Sequence, residues 1–189
     1  MPAYECRHIV GFGETSLVGN AYFSHYLEWQ GMCRERFLRE HAPEIVELLN
    51  SQKVAFFTAR CSCDYLVSWG FGALDEVVIR MRLERFRGGR MALVFEYVDE
   101  REPERIVARG TQEVHCKSKR GDQWVPTPFP PPMLRALMGF AEGAELRSNL
   151  QEALDFQESG ALSSGVAGEP RGQGGESHDG HQESRPEAH

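Results

Sequence analysis

Residues 20–41 repeat a mainly apolar pattern with the period of a helix. Positions i, i+3, i+4, i+7, i+10 and i+14 of this stretch hold Phe23, Tyr26, Leu27, Gln30, Cys33 and Phe37. This spacing places them on one face of an α-helix, and the pattern stops before Pro43. Three more large residues, Tyr22, Trp29 and Met32, lie off this stripe. The pattern therefore predicts a long helix that is buried on more than one side.

The segments on either side of this helix predict an antiparallel sheet. A first strand is predicted at residues 5–12, with glycines on both sides of Phe12. The other predicted elements, in order, are a short helix at 44–50, a strand at 54–65, a hairpin over 77–97 that turns at Gly88-Gly89, a strand at 105–117 and a helix from Met133 to about Phe156. One long helix and several antiparallel strands predict an α+β domain.

Composition divides the chain near Phe156. Residues 157–189 are rich in Gly, Ser, Glu and His and contain no Phe, Trp or Tyr, so they cannot bury enough apolar surface to offset the entropy lost on ordering. We therefore predict one domain at residues 1–156 and a disordered tail at 157–189. The tail histidines His178, His181 and His189 are irregularly spaced, which is typical of a solvated tail rather than a metal site.

Charge and composition exclude several classes of function. The chain has 189 residues, of which 41% are hydrophobic, and its net charge is −7. These values predict a single core and disfavour binding to nucleic acid or to anionic membranes. The N-terminal residues lack the apolar segment of a signal peptide, and no apolar run is long enough to span a membrane. We expect a cytoplasmic protein.

Motifs for cofactors, metals and covalent serine catalysis are missing from the sequence. It contains no Gly-x-Ser-x-Gly elbow, no phosphate-binding loop and no dinucleotide fingerprint. Its five cysteines include Cys61 and Cys63, but no second Cys/His pair stands at a zinc-ligand spacing, so we expect reduced, mostly buried thiols. We predict no cofactor and no metal.

The stretch from Gly13 to Glu35 is the most specific part of the chain. It begins Gly-Glu-Thr-Ser-Leu-Val-Gly-Asn and continues, inside the predicted helix, with Tyr-Leu-Glu-Trp-Gln-Gly-Met-Cys-Arg-Glu. This motif resembles the active-site segment of hot-dog-fold thioesterases, in particular the enediyne polyketide branch of the 4-hydroxybenzoyl-CoA thioesterase family. The resemblance covers about residues 5–140. It implies a hot-dog fold, in which an antiparallel sheet wraps around the long helix, and a homo-oligomer that is a dimer of dimers.

The resemblance also implies an active site where this turn meets a partner subunit. Many family members have an acidic residue three positions before the turn glycine, and enediyne-type members tend to have asparagine there. Here the residue before Gly19 at that spacing is Ser16, so no carboxylate acts from this position. The Ser16 hydroxyl, the Asn20 amide and the backbone amides of the turn remain as donors for a thioester oxygen. From the residues alone, Asn20 is also typical of a simple helix N-cap.

Arg34 matches the arginine of the family's Cys-Arg-Glu segment, which the resemblance implies holds the thioester or its β-carbonyl. Its helix neighbours three and four positions away are uncharged: Gln30, Gly31, Phe37 and Leu38. An ion pair within the helix therefore does not account for Arg34, whereas Arg36 has Glu40 four residues on. We expect Arg34 to stabilise an oxyanion or enolate.

Other titratable residues near the motif have weaker roles. The resemblance makes Glu28 and Glu35 candidate general bases, since some hot-dog thioesterases use a helix glutamate. We nevertheless expect both, and Glu14, to be solvated or ion-paired, and His25 to line a pocket or an interface. Among the arginines of the hairpin, Arg85, Arg87 and Arg90 are candidates for steering an acidic acyl-carrier protein toward the site.

The predicted reaction is hydrolysis of a polyene β-keto thioester. The resemblance implies a substrate held by phosphopantetheine on the acyl-carrier domain of an iterative enediyne synthase, with decarboxylation of the released acid as a second step. Phe23, Tyr26 and Trp29, together with Gly19, are expected to bind the substrate, the aromatic residues as walls of an apolar channel. Two alternatives stay open: an acyl-CoA or aryl-CoA thioesterase of the same fold, and a non-catalytic binding subunit of a synthase.

Overall fold

The computed structural model describes residues 3–164. Its elements are β1 (Tyr4–Ile9), α1 (Phe23–His41), α2 (Pro43–Asn50), β2 (Val54–Tyr65), β3 (Glu76–Arg87), β4 (Arg90–Asp99), β5 (Glu102–Arg120), β6 (Gln123–Pro126), α3 (Pro131–Met138) and α4 (Ala144–Ser164). Within this range, no helix is long and apolar enough to cross a membrane.

The strands form one antiparallel sheet in the order β1-β3-β4-β5-β2, and β6 pairs with the last residues of β5. Helix α1 contacts both edge strands, β1 and β2, as well as β3 and β5. The sheet therefore curls around α1, and large side chains fill the space between them, among them Trp29, Phe37, Phe95 and Tyr97. The predicted α+β arrangement is confirmed. Within one chain the buried residues of α1 lie mainly on the face toward the sheet, and Tyr22 and Phe23 are exposed, so burial of the helix on a second side stays a prediction.

Strand β2 forms an open edge of the sheet. It pairs with β5 on one side and with no other strand in residues 3–164. The five residues from Phe57 to Cys61 are exposed. An edge strand of this length has a row of backbone N–H and C=O groups that lack partners in the sheet.

The beginning of the chain differs from the prediction. Strand β1 ends at Ile9, and Phe12–Glu14 forms a short 3₁₀ turn, where the Glu14 carboxylate accepts the Gly11 N–H at 2.6 Å. The side chain of Glu14 thereby closes a turn that includes Gly11 and Phe12, which were predicted to belong to the strand. Helix α1 begins at Phe23 rather than near residue 20, because the backbone of Asn20 and Ala21 pairs with Gly72 and Phe71.

The second half of the chain is more regular than predicted in its strands and less regular in its last helix. The hairpin around Gly88-Gly89 and the strand Val54–Tyr65 form as expected. Strand β5 is longer than 105–117, and the short strand β6 was not predicted. The single helix from Met133 to about Phe156 is two helices, separated at residues 139–143.

The boundary predicted at Phe156 lies inside α4, which continues to Ser164. Its leucines Leu146, Leu150 and Leu154 are buried and draw the helix onto α3. The rest of the predicted tail, with its three histidines, lies outside the described residues.

Candidate active site

The turn before α1 is closed by its own backbone. The Ser16 N–H donates to the Asn20 carbonyl (2.7 Å), the Gly19 N–H donates to the Ser16 carbonyl (2.8 Å), and the Tyr22 N–H donates to the Glu14 carbonyl (2.8 Å). Gly19 has φ +85°, a conformation that other residues rarely adopt. Three of the backbone amides predicted as oxyanion donors are therefore already bonded within the turn. Fewer backbone N–H groups than predicted are left to bind a ligand.

Asn20 holds the turn to the loop that follows β2. Its Oδ1 accepts the Gly70 N–H at 3.1 Å, and the residue at the N-cap position of α1 is Tyr22. Asn20 is therefore not the helix cap. Its amide nitrogen has no partner among the described residues, so this group remains the donor that Asn20 can offer to a substrate.

Glu14 connects three segments around the turn. Its carboxylate accepts hydrogen bonds from Trp29 Nε1 (2.7 Å), from the Gly11 N–H (2.6 Å) and from His8 Nε2 (2.8 Å). Burial alone would raise the pKa of Glu14, but the bonds from Trp29, Gly11 and His8 together lower it below its usual value. Glu14 is thus a structural anchor of the turn, and its carboxylate is already bonded to groups of the protein.

A cavity of about 220 Å³ opens beside this turn. Ser16, Asn20, Phe23 and Tyr26 line it, as does Tyr65 from the end of β2. The Tyr65 hydroxyl donates to the Phe23 carbonyl at 2.7 Å. Burial raises the pKa of Tyr26 to about 12, so its hydroxyl stays protonated at neutral pH.

Two predicted substrate-binding residues lie elsewhere. Trp29 is buried in the core and donates to Glu14, and neither Trp29 nor Gly19 lines the cavity. Tyr65 was not predicted, because nothing in the alternation of β2 distinguishes a residue that lines a pocket.

The segments that line this cavity carry several exposed apolar side chains. Leu17 and Val18 in the turn are 106% and 71% exposed, and Trp69 is 55% exposed. Other members of this exposed apolar patch are Phe12, Tyr22, Phe23, Tyr65 and Leu66. A concentration of large exposed apolar side chains is typical of a surface that another molecule covers.

Arg34 lies farther along α1, next to the open edge of the sheet. Its Nη1 donates to Thr58 Oγ1 of β2 (3.0 Å) and to Gln112 Oε1 of β5 (2.9 Å). Within residues 3–164, no carboxylate lies within ion-pair distance of its guanidinium group. Burial lowers the pKa of Arg34, although an arginine stays charged at neutral pH. Arg34 therefore has a positive charge held only by neutral groups.

A row of uncharged polar groups continues from Arg34 beneath α1. Gln112 Nε2 lies 4.0 Å from Cys61 Sγ, the Cys61 thiol donates to Gln30 Oε1 (3.2 Å), and Gln30 Nε2 donates to the Ser62 carbonyl (3.0 Å). Gln30 and Gln112 are almost completely buried, whereas Cys61 is exposed. Most of the other cysteines are buried, as predicted.

The row depends on Gly110, which lies opposite Gln30 on β5. A Cβ at Gly110 would lie 2.1 Å from Gln30 Nε2, so only glycine lets this amide reach the sheet. Gln112 was not predicted as a site residue. The available signal was a polar residue at an inward-facing position of β5, between Gly110 and Val114.

The two groups of predicted catalytic residues are apart within one chain. Ser16 and Asn20 lie at the beginning of α1, and Arg34 lies eleven residues beyond Phe23, which corresponds to about 16 Å along the helix axis. Arg34 does not line the cavity that holds Ser16 and Asn20. One chain therefore does not bring Arg34 to the turn.

The remaining candidates on α1 have structural contacts. His25 Nδ1 lies 2.7 Å from Glu28 Oε2, and Glu35 is exposed. The predicted pair of Arg36 with Glu40 is wrong: Arg36 donates to the Arg7 carbonyl (2.8 Å), and Glu40 accepts the Tyr4 hydroxyl (2.8 Å). Strand β1 lies near enough to supply both partners, which a helix pattern alone does not reveal.

The basic residues of the β3–β4 hairpin are of two kinds. Arg85 lies 3.6 Å from both Glu84 and Glu113. Arg87 and Arg90 line a cavity of about 240 Å³ with His115 and Lys117, and no carboxylate among residues 3–164 lines it. Together with Arg85 they also line a larger cavity of about 1070 Å³, whose other lining residues include several glutamates. No cluster of residues suited to a metal ion is found in the described part of the chain.

Comparison with known proteins gives concordant matches. The sequence model of the thioesterase-like superfamily matches residues 10–137. The crystal structure of the dynemicin thioesterase, studied for polyene binding, is 42% identical, with a TM-score of 0.70, and the match covers 76% of this chain and 100% of that one. No curated protein matches.

More distant structures share the fold. A 1,4-dihydroxy-2-naphthoyl-CoA thioesterase from Synechocystis is 15% identical, covering 72% of this chain and 96% of its own, with a TM-score of 0.64. A gentisyl-coenzyme A thioesterase is 20% identical, covering 72% and 99%, with a TM-score of 0.58. At these identities the likeness extends to the fold alone.

Proposed function

This chain belongs to the thioesterase-like superfamily and has the hot-dog fold, and we propose that it hydrolyses a polyene thioester held by phosphopantetheine on the acyl-carrier domain of an enediyne polyketide synthase. The observation that carries the proposal is the 42% identity with the dynemicin thioesterase over the whole of that chain. That relative binds a polyene. The motif from Gly13 to Glu35, which gave the resemblance to enediyne-type enzymes, lies within the matched family segment.

In the proposed reaction, water attacks the thioester carbon while the protein stabilises the charge on the carbonyl oxygen. Arg34 and the Asn20 amide donate to this oxygen, with the Ser16 hydroxyl near it. The tetrahedral intermediate then expels the phosphopantetheine thiolate, which takes up a proton. Because residue 16 is a serine and Glu14 is fully engaged, no protein carboxylate at the turn acts as base or nucleophile.

The released β-keto acid can lose carbon dioxide in a second step. Breaking the bond to the carboxylate leaves an enolate, whose negative charge requires a fixed cation. The guanidinium group of Arg34 supplies this charge, since no carboxylate among residues 3–164 neutralises it. Protonation of the enolate would then give a methyl ketone.

We place the complete site between two copies of the chain. Arg34 lies beside the open edge of β2, and Ser16 and Asn20 lie under an exposed apolar patch about 16 Å along the helix. Antiparallel pairing of two β2 edges would place the α1 helices side by side in opposite directions, with Arg34 of one copy facing the turn of the other. A further pairing of such dimers gives the expected dimer of dimers.

The positive charge of the cavity around Arg87 and Arg90 is an argument for a carrier-bound substrate. It concentrates positive charge from Arg87, Arg90 and Lys117 on a chain with a net charge of −7. Such a local patch attracts the phosphate of phosphopantetheine and acidic side chains of a carrier domain. Because Arg85 is paired with Glu84 and Glu113, its part in steering a carrier is smaller than that of Arg87 and Arg90.

The first experiment is mass spectrometry of products after the protein is mixed with its substrate-loaded synthase. We expect the wild type to release a polyene acid or methyl ketone and Arg34→Ala to leave the acyl group on the carrier. Arg39→Ala, which removes the same side chain from an exposed position of α1, is the matched control and should behave as wild type. Equal turnover of acyl-CoA and carrier-bound substrate would instead favour the CoA thioesterase, and no release by the wild type would favour a binding subunit.

A mixing experiment tests the two-chain site. We expect Arg34→Ala and Asn20→Ala to be nearly inactive alone. Heterodimers of the two variants contain one site with both changes and one with neither. After the subunits are mixed and re-formed, activity should recover to about a quarter of wild type. No recovery, with heterodimers demonstrated by native mass spectrometry, would place Arg34 and Asn20 in sites formed by single chains.

A further inference from the structure

The neutral row beneath α1 determines how Arg34 is held. Gln30 Nε2 donates to the Ser62 carbonyl, so the other end of this amide, Oε1, must face Cys61. The Cys61 thiol gives its only hydrogen to that oxygen, which leaves its sulfur as an acceptor. Each bond in the row therefore dictates the direction of the next.

This sequence of directed bonds ends at Arg34. Because the sulfur of Cys61 can only accept, the amide nitrogen of Gln112 faces it, at 4.0 Å. The amide oxygen of Gln112 is then turned toward α1, where it accepts Arg34 Nη1 at 2.9 Å. The orientation of a buried amide is thus fixed by its surroundings, and it presents an acceptor, not a donor, to the arginine.

We propose that Gln112 is a positioning residue for Arg34, whose uncharged amide orients the guanidinium group without neutralising it. The inference rests on the proposed function, in which Arg34 meets the charge that develops on the thioester. A carboxylate at position 112 would orient Arg34 at least as well, because it forms a charge-assisted bond. It would also compete with the substrate for the positive charge. Glutamine orients Arg34 as a carboxylate would, but leaves the positive charge of Arg34 free to interact with the ligand.

The substitution Gln112→Glu separates these two effects, since the two side chains have the same shape. We expect its kcat/KM on a soluble thioester, such as an N-acetylcysteamine ester of a polyene acid, to fall on the order of 100-fold. The loss should be in kcat more than in KM, because the competing charge acts on the transition state. The melting temperature should be no lower than that of wild type. Gln123→Glu, the same change at an exposed position of β6, should leave both quantities unchanged.

The pH dependence provides a readout that a purely structural role would not affect. As pH falls, protonation of the new carboxyl removes its charge, so the activity of Gln112→Glu relative to wild type should rise. Cys61 on β2 and Glu35 on α1 are the titratable groups that act on Arg34, and both proteins contain them. The ratio therefore isolates position 112. A ratio that is independent of pH would overturn the proposal.

Reference proteins separate this proposal from the proposed function. If wild type hydrolyses no thioester, the proposed function itself fails. If wild type is active and Arg34→Ala is not, but Gln112→Glu retains wild-type activity, only the role of Gln112 is overturned. Should Gln112→Glu fail to fold, Gln112→Met tests the same point, since it keeps the packing and removes the acceptor. We expect a drop of about 10-fold for this variant, and wild-type kcat would overturn the proposal.

Discussion

The two ends of α1 are joined to the rest of the chain by opposite kinds of polar contact. At the N-terminal end, a carboxylate, Glu14, collects donors from β1, from the turn and from Trp29. Farther along, a cation, Arg34, is held by a hydroxyl and an amide. The charge of Glu14 is bonded within the fold, whereas the charge of Arg34 can interact with a ligand. The presence of a charged residue near a site is therefore less informative than the charge of its partners.

The largest expected effect on stability comes from breaking the charged anchor. Glu14→Ala leaves Trp29 Nε1 and the Gly11 N–H without their acceptor, so we expect a loss of about 3 kcal/mol in the free energy of unfolding. Urea unfolding measures this loss. Glu28→Ala, which removes one exposed contact with His25, should cost well under 1 kcal/mol. Equal losses in the two variants would show that Glu14 is not an anchor.

The next largest effect on stability is expected in the row of neutral groups that leads to Arg34. Gly110→Ala places a Cβ in the space of the Gln30 amide, so we expect a loss of about 2 kcal/mol together with lower turnover, because Gln30 is linked to Arg34 through Cys61 and Gln112. Gly31→Ala is the matched control. Its Cβ would meet nothing within 4 Å, and alanine favours a helix by about 0.5–1 kcal/mol over glycine. Thermal unfolding should therefore move in opposite directions for the two variants.

A smaller effect is expected at the contact between the turn and the loop after β2. Asn20→Ala removes the acceptor of the Gly70 N–H and should cost about 1 kcal/mol. Asn20→Asp keeps an acceptor at this position, so its stability should stay near that of wild type in chemical denaturation. If both variants lost the same stability, the bond to Gly70 would have no part in holding the turn.

The smallest effect is the pH dependence of the charged anchor. The pKa of Glu14 is lowered in the folded state, so its charge stabilises the fold at pH values above the ordinary pKa of a glutamate. This contribution is lost as pH falls through the lowered pKa. The stability difference between wild type and Glu14→Gln should therefore shrink in acid, measured by denaturation from pH 7 downward. A difference that stays constant would mean that the hydrogen bonds, and not the charge, hold the turn.

Repeating patterns made much of the fold predictable. The long helix, the strand Val54–Tyr65 and the hairpin at Gly88-Gly89 each extend over enough residues for their period to be evident. The break between α3 and α4 and the short strand β6 were not predictable in this way, because each depends on only a few residues and on packing against the rest of the chain.

The site was predictable in its residues but not in its contacts. The motif indicated Ser16, Asn20 and Arg34, yet the partner that orients Arg34 is Gln112, which is 78 residues away. Likewise, the resemblance implied that Trp29 is a wall of an aromatic channel, whereas it is a core residue bonded to Glu14. Long-range hydrogen bonds of this kind leave no periodic signal in a sequence.

The anchoring of the turn by Glu14 also determines which part of it can move. Since one carboxylate ties β1, the 3₁₀ turn and α1 together, these segments should exchange their amide hydrogens slowly and as one unit. The tip at Leu17 and Val18, whose side chains are both exposed, is outside this bonding. Nanosecond mobility should therefore be concentrated in these two residues. A ligand entering beside the turn would contact a rigid segment held by Glu14 and, at its edge, two mobile apolar side chains.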